Sequence, residues 1–308
     1  MSLETDLLLD RRRLKRRLFY WRGATVLAVL VSLLALADRA GIVGRAHVAR
    51  LVVSGIITED RKLTEAVTKL ADDDSVKALL VRIDSPGGSV AGGEALHDAI
   101  ARVAAKKPVV SVMAGTAASA GYMIAVSGAR IFARNATLTG SIGVILETGE
   151  ASGLLGKLGV TAEAITSGPL KDQPSFTRPL TAQGRDVLHG LVMDMYDQFV
   201  TMVATSRNMT PEQVRALADG RAYTGRQALA LGLVDAIGGE PEARAWLAAE
   251  RGVAASLPVE DVSVRGLAER TLGEALSGVS EDILKSVLFQ GVRLDGAWAV
   301  WQPSQSGD

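Results

Sequence analysis

Three short stretches of this 308-residue chain carry side chains that could do chemistry together. The first is Ala117-Ala118-Ser119-Ala120-Gly121-Tyr122, which follows the apolar run from Pro108 to Met113 and puts a serine where a strand gives way to a helix. A serine in that place can be a nucleophile, because small neighbours let a substrate backbone approach and a helix N-terminus favours developing negative charge. It can equally be a helix cap, since Ser is a favoured N-cap. The second stretch is Pro86-Gly87-Gly88, where paired glycines let the N–H groups of Gly87 and Gly88 face an oxyanion. The third is Lys171, in a loop punctuated by Gly168, Pro169 and Pro174. Most loop lysines are simply solvated, but a neutral amine in a closed, apolar site can take the serine proton. Ser141, in Thr139-Gly140-Ser141-Ile142-Gly143, is placed to hold such an amine. Together these supply a nucleophile, an oxyanion hole and a base.

The chain offers few competing chemistries. It has no Cys, which excludes disulfides and thiolate catalysis. His47, His97 and His189 are its only histidines, none at metal-ligand spacing, and His97-Asp98 reads as a surface pair on a helix. No metal or cofactor is called for. A formal net charge of zero gives no support for nucleic-acid binding.

The elements that must position these residues read as alternating strands and helices. Strands are predicted at 47–58, 76–83, 109–113, 130–133, 143–146 and 162–166, and helices at 63–71, 97–105, from Ser119 onward, and at 154–159, 181–207, 211–218 and 225–231. That alternation predicts an α/β fold of βαβ units, with a mainly parallel sheet and helices packed on its faces. No internal repeat is present, so the unit occurs once.

The N-terminus has a separate character. Arg11, Arg12, Arg13, Lys15, Arg16 and Arg17 form a cationic cluster, and residues 18–37 behind it are mostly apolar and uncharged apart from Arg22. That length suits one membrane-spanning helix, with the basic end cytoplasmic and the remainder exported. Tyr20 and Trp21 suit an interfacial belt on a retained anchor, while Ala35-Leu36-Ala37 fits a cleaved signal peptide. The organisation expected is a basic segment 1–17, a transmembrane anchor 18–37, a linker 38–46, a catalytic domain 47–255 and a helical tail 256–308, the tail resting on helical spacing at Ile283, Leu284, Val287 and Leu288.

Five motifs in order give a resemblance: Asp84-Ser85-Pro86-Gly87-Gly88, Ala117 to Tyr122, Thr139 to Val144, Ser167-Gly168-Pro169-Leu170-Lys171-Asp172, and Asp219 to Gln227. The chain resembles the signal peptide peptidase A family of Ser/Lys-dyad membrane proteases from about His47 to Gly239. The short separation of Ser119 and Lys171 suits its single-copy form. The resemblance implies Ser119 as nucleophile, Lys171 as general base, Ser141 as the hydroxyl assisting the lysine, and the N–H groups of Gly88 and Ser119 as oxyanion hole. It implies a ClpP/crotonase-like fold and a homo-oligomer in which serine and lysine meet across a protomer boundary. It also implies remnant signal peptides and other hydrophobic peptides as substrates, and a bacterial inner-membrane location beside the lipid bilayer, with the catalytic domain extracytoplasmic. Where the family more often has Gly-Gly-Tyr after the serine, this chain has Ala120-Gly121-Tyr122, whose extra methyl is expected to narrow the adjacent pocket.

Three rivals remain. A stomatin-associated type of Ser/Lys membrane protease usually has a shorter serine-to-lysine spacing. A crotonase-like acyl-CoA enzyme would rely on an acidic residue, for which Glu94 is the nearest choice. A non-catalytic scaffold would have no use for Lys171.

Overall fold

The computed structural model describes residues 17, 20–29, 45–263 and 298–300. The chain divides into two units at Ala46/His47. In the first, residues 20–29 are helical and exposed. Among the described residues, no helix is long and apolar enough to cross a membrane. The rest of the expected anchor, residues 18, 19 and 30–37, lies outside them, as do residues 1–16 of the basic segment.

The second unit begins with β1 (His47–Ile57) and α1 (Arg61–Lys69), which Asp60 caps by accepting from the Leu63 N–H at 3.0 Å. There follow β2 (Val76–Ser89), α2 (Val90–Ala104), β3 (Val109–Ala118), α3 (Ala120–Ala125), β4 (Arg130–Ala133) and β5 (Leu138–Gly140). After α4 (Ser152–Lys157) come the long α5 (Ala182–Arg207), α6 (Pro211–Arg215), β6 (Ala222–Thr224), α7 (Gly225–Ala230), β7 (Ala236–Ile237) and α8 (Glu240–Arg251). Two strands, β8 (Val259–Asp261) and β9 (Trp298–Val300), complete the described chain.

One sheet runs β6-β5-β3-β2-β1-β8, with β4 beside β3, β7 beside β4 and β9 beside β2. Pairing is parallel except for β5 with β6 and β2 with β9. Both faces are covered, so the central strands are mostly apolar, with Lys77 and Arg82 the charged exceptions within 76–83 of β2. Along β2, Leu79, Val81 and Ile83 enter the core shared with α1, α2, α3 and α5, while Ala78 and Leu80 enter a second core closed by Ala243 and Leu247 of α8. Each of these large aliphatics, once fully buried, contributes roughly 1.5–3 kcal/mol.

The βαβ reading therefore holds, with local differences. β2 runs on through Ser85-Pro86-Gly87-Gly88 to Ser89, and α2 starts seven residues before the predicted helix, because the Ser89 side chain caps it from the Gly92 N–H at 3.1 Å. Gly92 and Gly93 look like helix breakers in sequence, yet they serve packing. A Cβ on Gly93 would stand 2.9 Å from Met123 Sδ. Residues 143–146 and 162–166 are not strands, save for a single bridge at Ile145. The described parts of the expected helical tail, residues 256–263 and 298–300, hold two short strands and no helix. β8 takes the edge of β1, extending the sheet beyond residue 255, and Arg50 locks it there by binding Asp261 at 2.6 Å. The helical spacing at 283–288 falls outside the described residues.

Candidate active site

β3 ends at Ala118 and α3 begins at Ala120, so Ser119 is the hinge between a buried strand and a helix all of whose residues are buried. Its backbone has φ 55° and ψ −120°, and its side chain caps nothing. The cap alternative is therefore ruled out. An L-residue at positive φ costs on the order of 1–3 kcal/mol and persists where the surroundings over-determine it. The surroundings here do so. The Ser119 N–H donates to the Gly140 carbonyl at 2.8 Å, the Ser119 carbonyl accepts from Met123 N–H at 2.9 Å, and the buried Tyr122 hydroxyl donates to the Leu233 carbonyl at 2.8 Å. Burial pushes the Tyr122 phenol well above its ordinary range, so it stays a neutral donor.

Ser141 repeats the pattern one strand away. β5 pairs with β3 so that Gly140 faces Ala118, which sets Ser119 and Ser141 at the ends of neighbouring strands. Ser141 has φ 48°, is 6% exposed, and donates its N–H to the Arg221 carbonyl at 2.9 Å. Among the described residues, the non-glycine positions with positive φ are Ser119, Ser141 and Asn208. Asn208 is the left-handed end of α5, an ordinary helix terminus. The other two are the serines singled out by chemistry.

The diglycine has a reason at each position. Gly87 has φ 117°, closed to other L-residues, and a Cβ on Gly88 would lie 1.9 Å from the Ile57 carbonyl oxygen. The turn is fixed by the buried Ser85, whose hydroxyl donates to the Gly55 carbonyl at 2.6 Å and accepts from the Gly87 N–H at 3.0 Å. The N–H groups of Gly87 and Ser119 both donate to internal acceptors, and Gly88 is paired in the sheet with Ile57 on one side and Ala299 on the other. Ala120, first in α3, has an N–H with no helical partner, a donor that sequence reasoning passed over.

Beyond Ser85 the strand β2 loses its β3 neighbour, because β3 turns away into Ser119. The vacated edge at Gly87-Gly88-Ser89 is taken by β9, antiparallel, with Val300, Ala299 and Trp298 opposite those residues. An extended peptide therefore lies along the glycine turn. A cleft of about 670 Å³ is lined by Ser141, Val144, Ile145, Met193, Tyr196 and Asp219.

Ala120 does not narrow this site. It is fully buried, and its methyl lies toward α2, within 3.1 Å of where a Gly93 Cβ would be. Glu94 is remote from the serines' cleft and lines a different one, of about 510 Å³, with His97 and Asp194. His97 lies 3.2 Å from Asp98, as a surface pair would.

Lys171 lies on a separate loop from the serines. It is exposed on the loop between α4 and α5, and its amine has no hydrogen bond or ion pair to Ser119 or Ser141 among the described residues. Its neighbourhood exposes large apolar side chains, with Leu154 60%, Ile165 97% and Phe176 66% exposed.

Comparison with known proteins adds three findings. Residues 101–254 match Peptidase family S49. The chain is 42% identical over 210 residues to a Synechocystis sp. protein named as a protease, covering 68% of this chain and 76% of that one. It is 38% identical over 213 residues to an Enterococcus faecium protein named as a signal peptide peptidase, covering 68% and 61%, and 40% identical over 167 residues to Protease 4 of Salmonella typhi, covering 54% and 27%. It thus spans less than two thirds of the Enterococcus protein and about a quarter of the Salmonella one. Among solved structures it is similar to a ClpP1 variant of Listeria monocytogenes, with a TM-score of 0.43 and 18% identity over 68% of this chain and 98% of that one.

Proposed function

The chain belongs to peptidase family S49, the signal peptide peptidase A family of serine proteases, and from that membership we propose a membrane-tethered Ser/Lys endopeptidase that cuts apolar peptides such as remnant signal peptides. The observation that carries the reading is the pair of strained serines, Ser119 and Ser141, at the ends of adjacent strands.

The substrate binds as an extended strand along Gly87-Gly88-Ser89, the position β9 occupies, with apolar side chains toward Val144, Ile145 and Met193. Ser119 Oγ attacks the scissile carbonyl carbon and passes its proton to the Lys171 amine. The carbonyl oxygen, now an oxyanion, accepts from the N–H groups of Gly88 and Ala120. The lysine ammonium gives its proton to the departing amine, leaving an acyl ester on Ser119. Water, deprotonated by the same lysine, hydrolyses that ester and restores the serine. Ser141 orients the amine throughout.

The exposure of Lys171 and of Leu154, Ile165 and Phe176 supports assembly, since large apolar side chains together mark a contact surface. Lys171 of one copy then completes the site of the next, in the enclosed surroundings that a neutral amine needs. The basic residues 11–17 and apolar residues 18–37 support tethering at the bacterial inner membrane, with catalysis on the extracytoplasmic side.

The test incubates the full chain, in detergent, with a leucine-rich signal peptide and follows fragments by mass spectrometry. Ser119→Ala and Lys171→Met should each be inactive alone, and mixing the two under subunit exchange should restore cleavage through sites that draw serine and lysine from different copies. Cleavage by Lys171→Met alone would remove lysine from the mechanism. Inactive mixtures from exchanging subunits would place the dyad within one copy.

A further inference from the structure

The loop that carries Lys171 is exposed, yet it is tied at several points within itself and to the starts of α4 and α5. The Lys171 N–H donates to the Gly168 carbonyl at 3.2 Å, closing a tight turn. Gln173 Oε1 accepts from the Thr181 N–H, at the start of α5, at 3.1 Å. The Phe176 carbonyl accepts from the Ala151 N–H, at the start of α4, at 2.8 Å. Within that frame Asp172, the residue after the lysine, forms an ion pair with Arg178 through its carboxylate and the guanidinium Nη2. The Arg178 Nε is buried and has no acceptor among the described residues. A guanidinium that gives up hydration at one nitrogen without a replacement bond is not an ordinary solvated surface charge.

We infer that Arg178 is a positioning residue for Lys171, acting through Asp172; this rests on the reading of Lys171 as general base. The pair closes the chain from 172 to 178 into a loop around Gln173 and Pro174, which fixes the direction in which the preceding residue leaves the turn. It also engages the Asp172 carboxylate, the acidic group nearest to Lys171 along the chain, which would otherwise be free to pair with the amine and occupy it. A base on a loose loop samples many positions, and a displacement of about 1 Å at a reacting group costs on the order of 10²-fold in rate. Charge-assisted Arg–carboxylate bonds are directional enough to prevent that.

The experiment compares the full chain with Arg178→Gln, Asp172→Asn and the reversed pair Asp172→Arg/Arg178→Asp, measuring kcat and KM on one signal peptide, melting temperature and assembly size, with Lys171→Met as the control. The expected result is a fall in kcat of roughly 10- to 100-fold for each single variant. KM should stay within about twofold, melting and assembly should be unchanged, and the reversed pair should recover most of the loss. Asp172→Asn is nearly isosteric and half-exposed, so it folds even if Arg178→Gln does not. Unchanged kcat in both single variants, or a reversed pair no better than the singles, overturns the inference while leaving the lysine reading standing. An active Lys171→Met overturns the lysine reading instead.

Discussion

Ser119 and Ser141 each follow one member of a single paired register, Ala118 opposite Gly140, and both leave it with positive φ, at 55° and 48°. The bond from the Ser119 N–H to the Gly140 carbonyl crosses between the two turns, so neither serine can relax without disturbing the other. This gives the two hydroxyls a rigid mutual geometry before any substrate or base arrives.

The strain at Ser119 is separable from its chemistry. Ser119→Gly and Ser119→Ala both abolish cleavage, but glycine tolerates φ 55° and alanine does not. After allowance for the extra freedom of glycine in the unfolded chain, Ser119→Gly should be more stable by roughly 0.5–1 kcal/mol, read from urea midpoints. Equal midpoints would mean that the turn relaxes when the hydroxyl is removed.

Gly88→Ala should disrupt the turn itself. The new methyl would stand 1.9 Å from the Ile57 carbonyl oxygen, a backbone atom that cannot swing aside. We expect a loss of roughly 3 kcal/mol or more, with β1 and β2 pulled apart near Ile57, visible as lost amide protection there. A variant as stable as the parent would show that the two strands approach less closely than described.

Removing the C-terminal segment should open the peptide-binding edge. A chain ending at Val262 keeps β8 and lacks β9, so a substrate no longer competes with residues 298–300 for Gly87-Gly88-Ser89. KM for a short apolar peptide should fall several-fold while kcat changes little, since a tethered competitor acts at high effective concentration. A KM that does not fall would mean that β9 and substrate use different edges.

The attachment of β8 should be acid-sensitive. The side-chain hydrogen bond from Arg50 holds the Asp261 carboxyl below its ordinary value of about 3.9. A carboxyl with a depressed value in the folded state contributes stability above its unfolded value, and that contribution is lost as pH falls through the lower, folded one. Amide protection at 259–261, taken relative to the unfolded chain at the same pH, should therefore fall below about pH 4 while the centre of β1 stays protected. Arg50→Met should show the same loss of protection at neutral pH.

Much of this protein was legible in the sequence because the signals are local. The apolar runs of β2 and β3 announce a sheet buried on both faces, and the spacing of Leu188, Leu191, Met195, Phe199 and Met202 announces α5. Ser119, Gly88, Ser141 and Lys171 could be named from local motifs: a serine where a strand meets a helix, a diglycine turn, a second serine between glycines, and a loop lysine among Gly and Pro. The start of α2 at Val90 was not legible, since nothing local says that Gly92 and Gly93 are needed for close packing against other elements.

What tertiary structure alone decided depends on residues distant in sequence. That the N–H groups of Ser119 and Gly87 are already engaged follows from where Gly140 and Ser85 lie, and that the methyl of Ala120 turns away from the cleft follows from the closeness of Gly93. The strand β9 finds its place only because β3 leaves β2 uncovered at the serine. Sequence fixes which groups can react, by composition and local pattern; which donors are free, and on which edge a peptide can lie, is set by long-range pairing that no local pattern encodes.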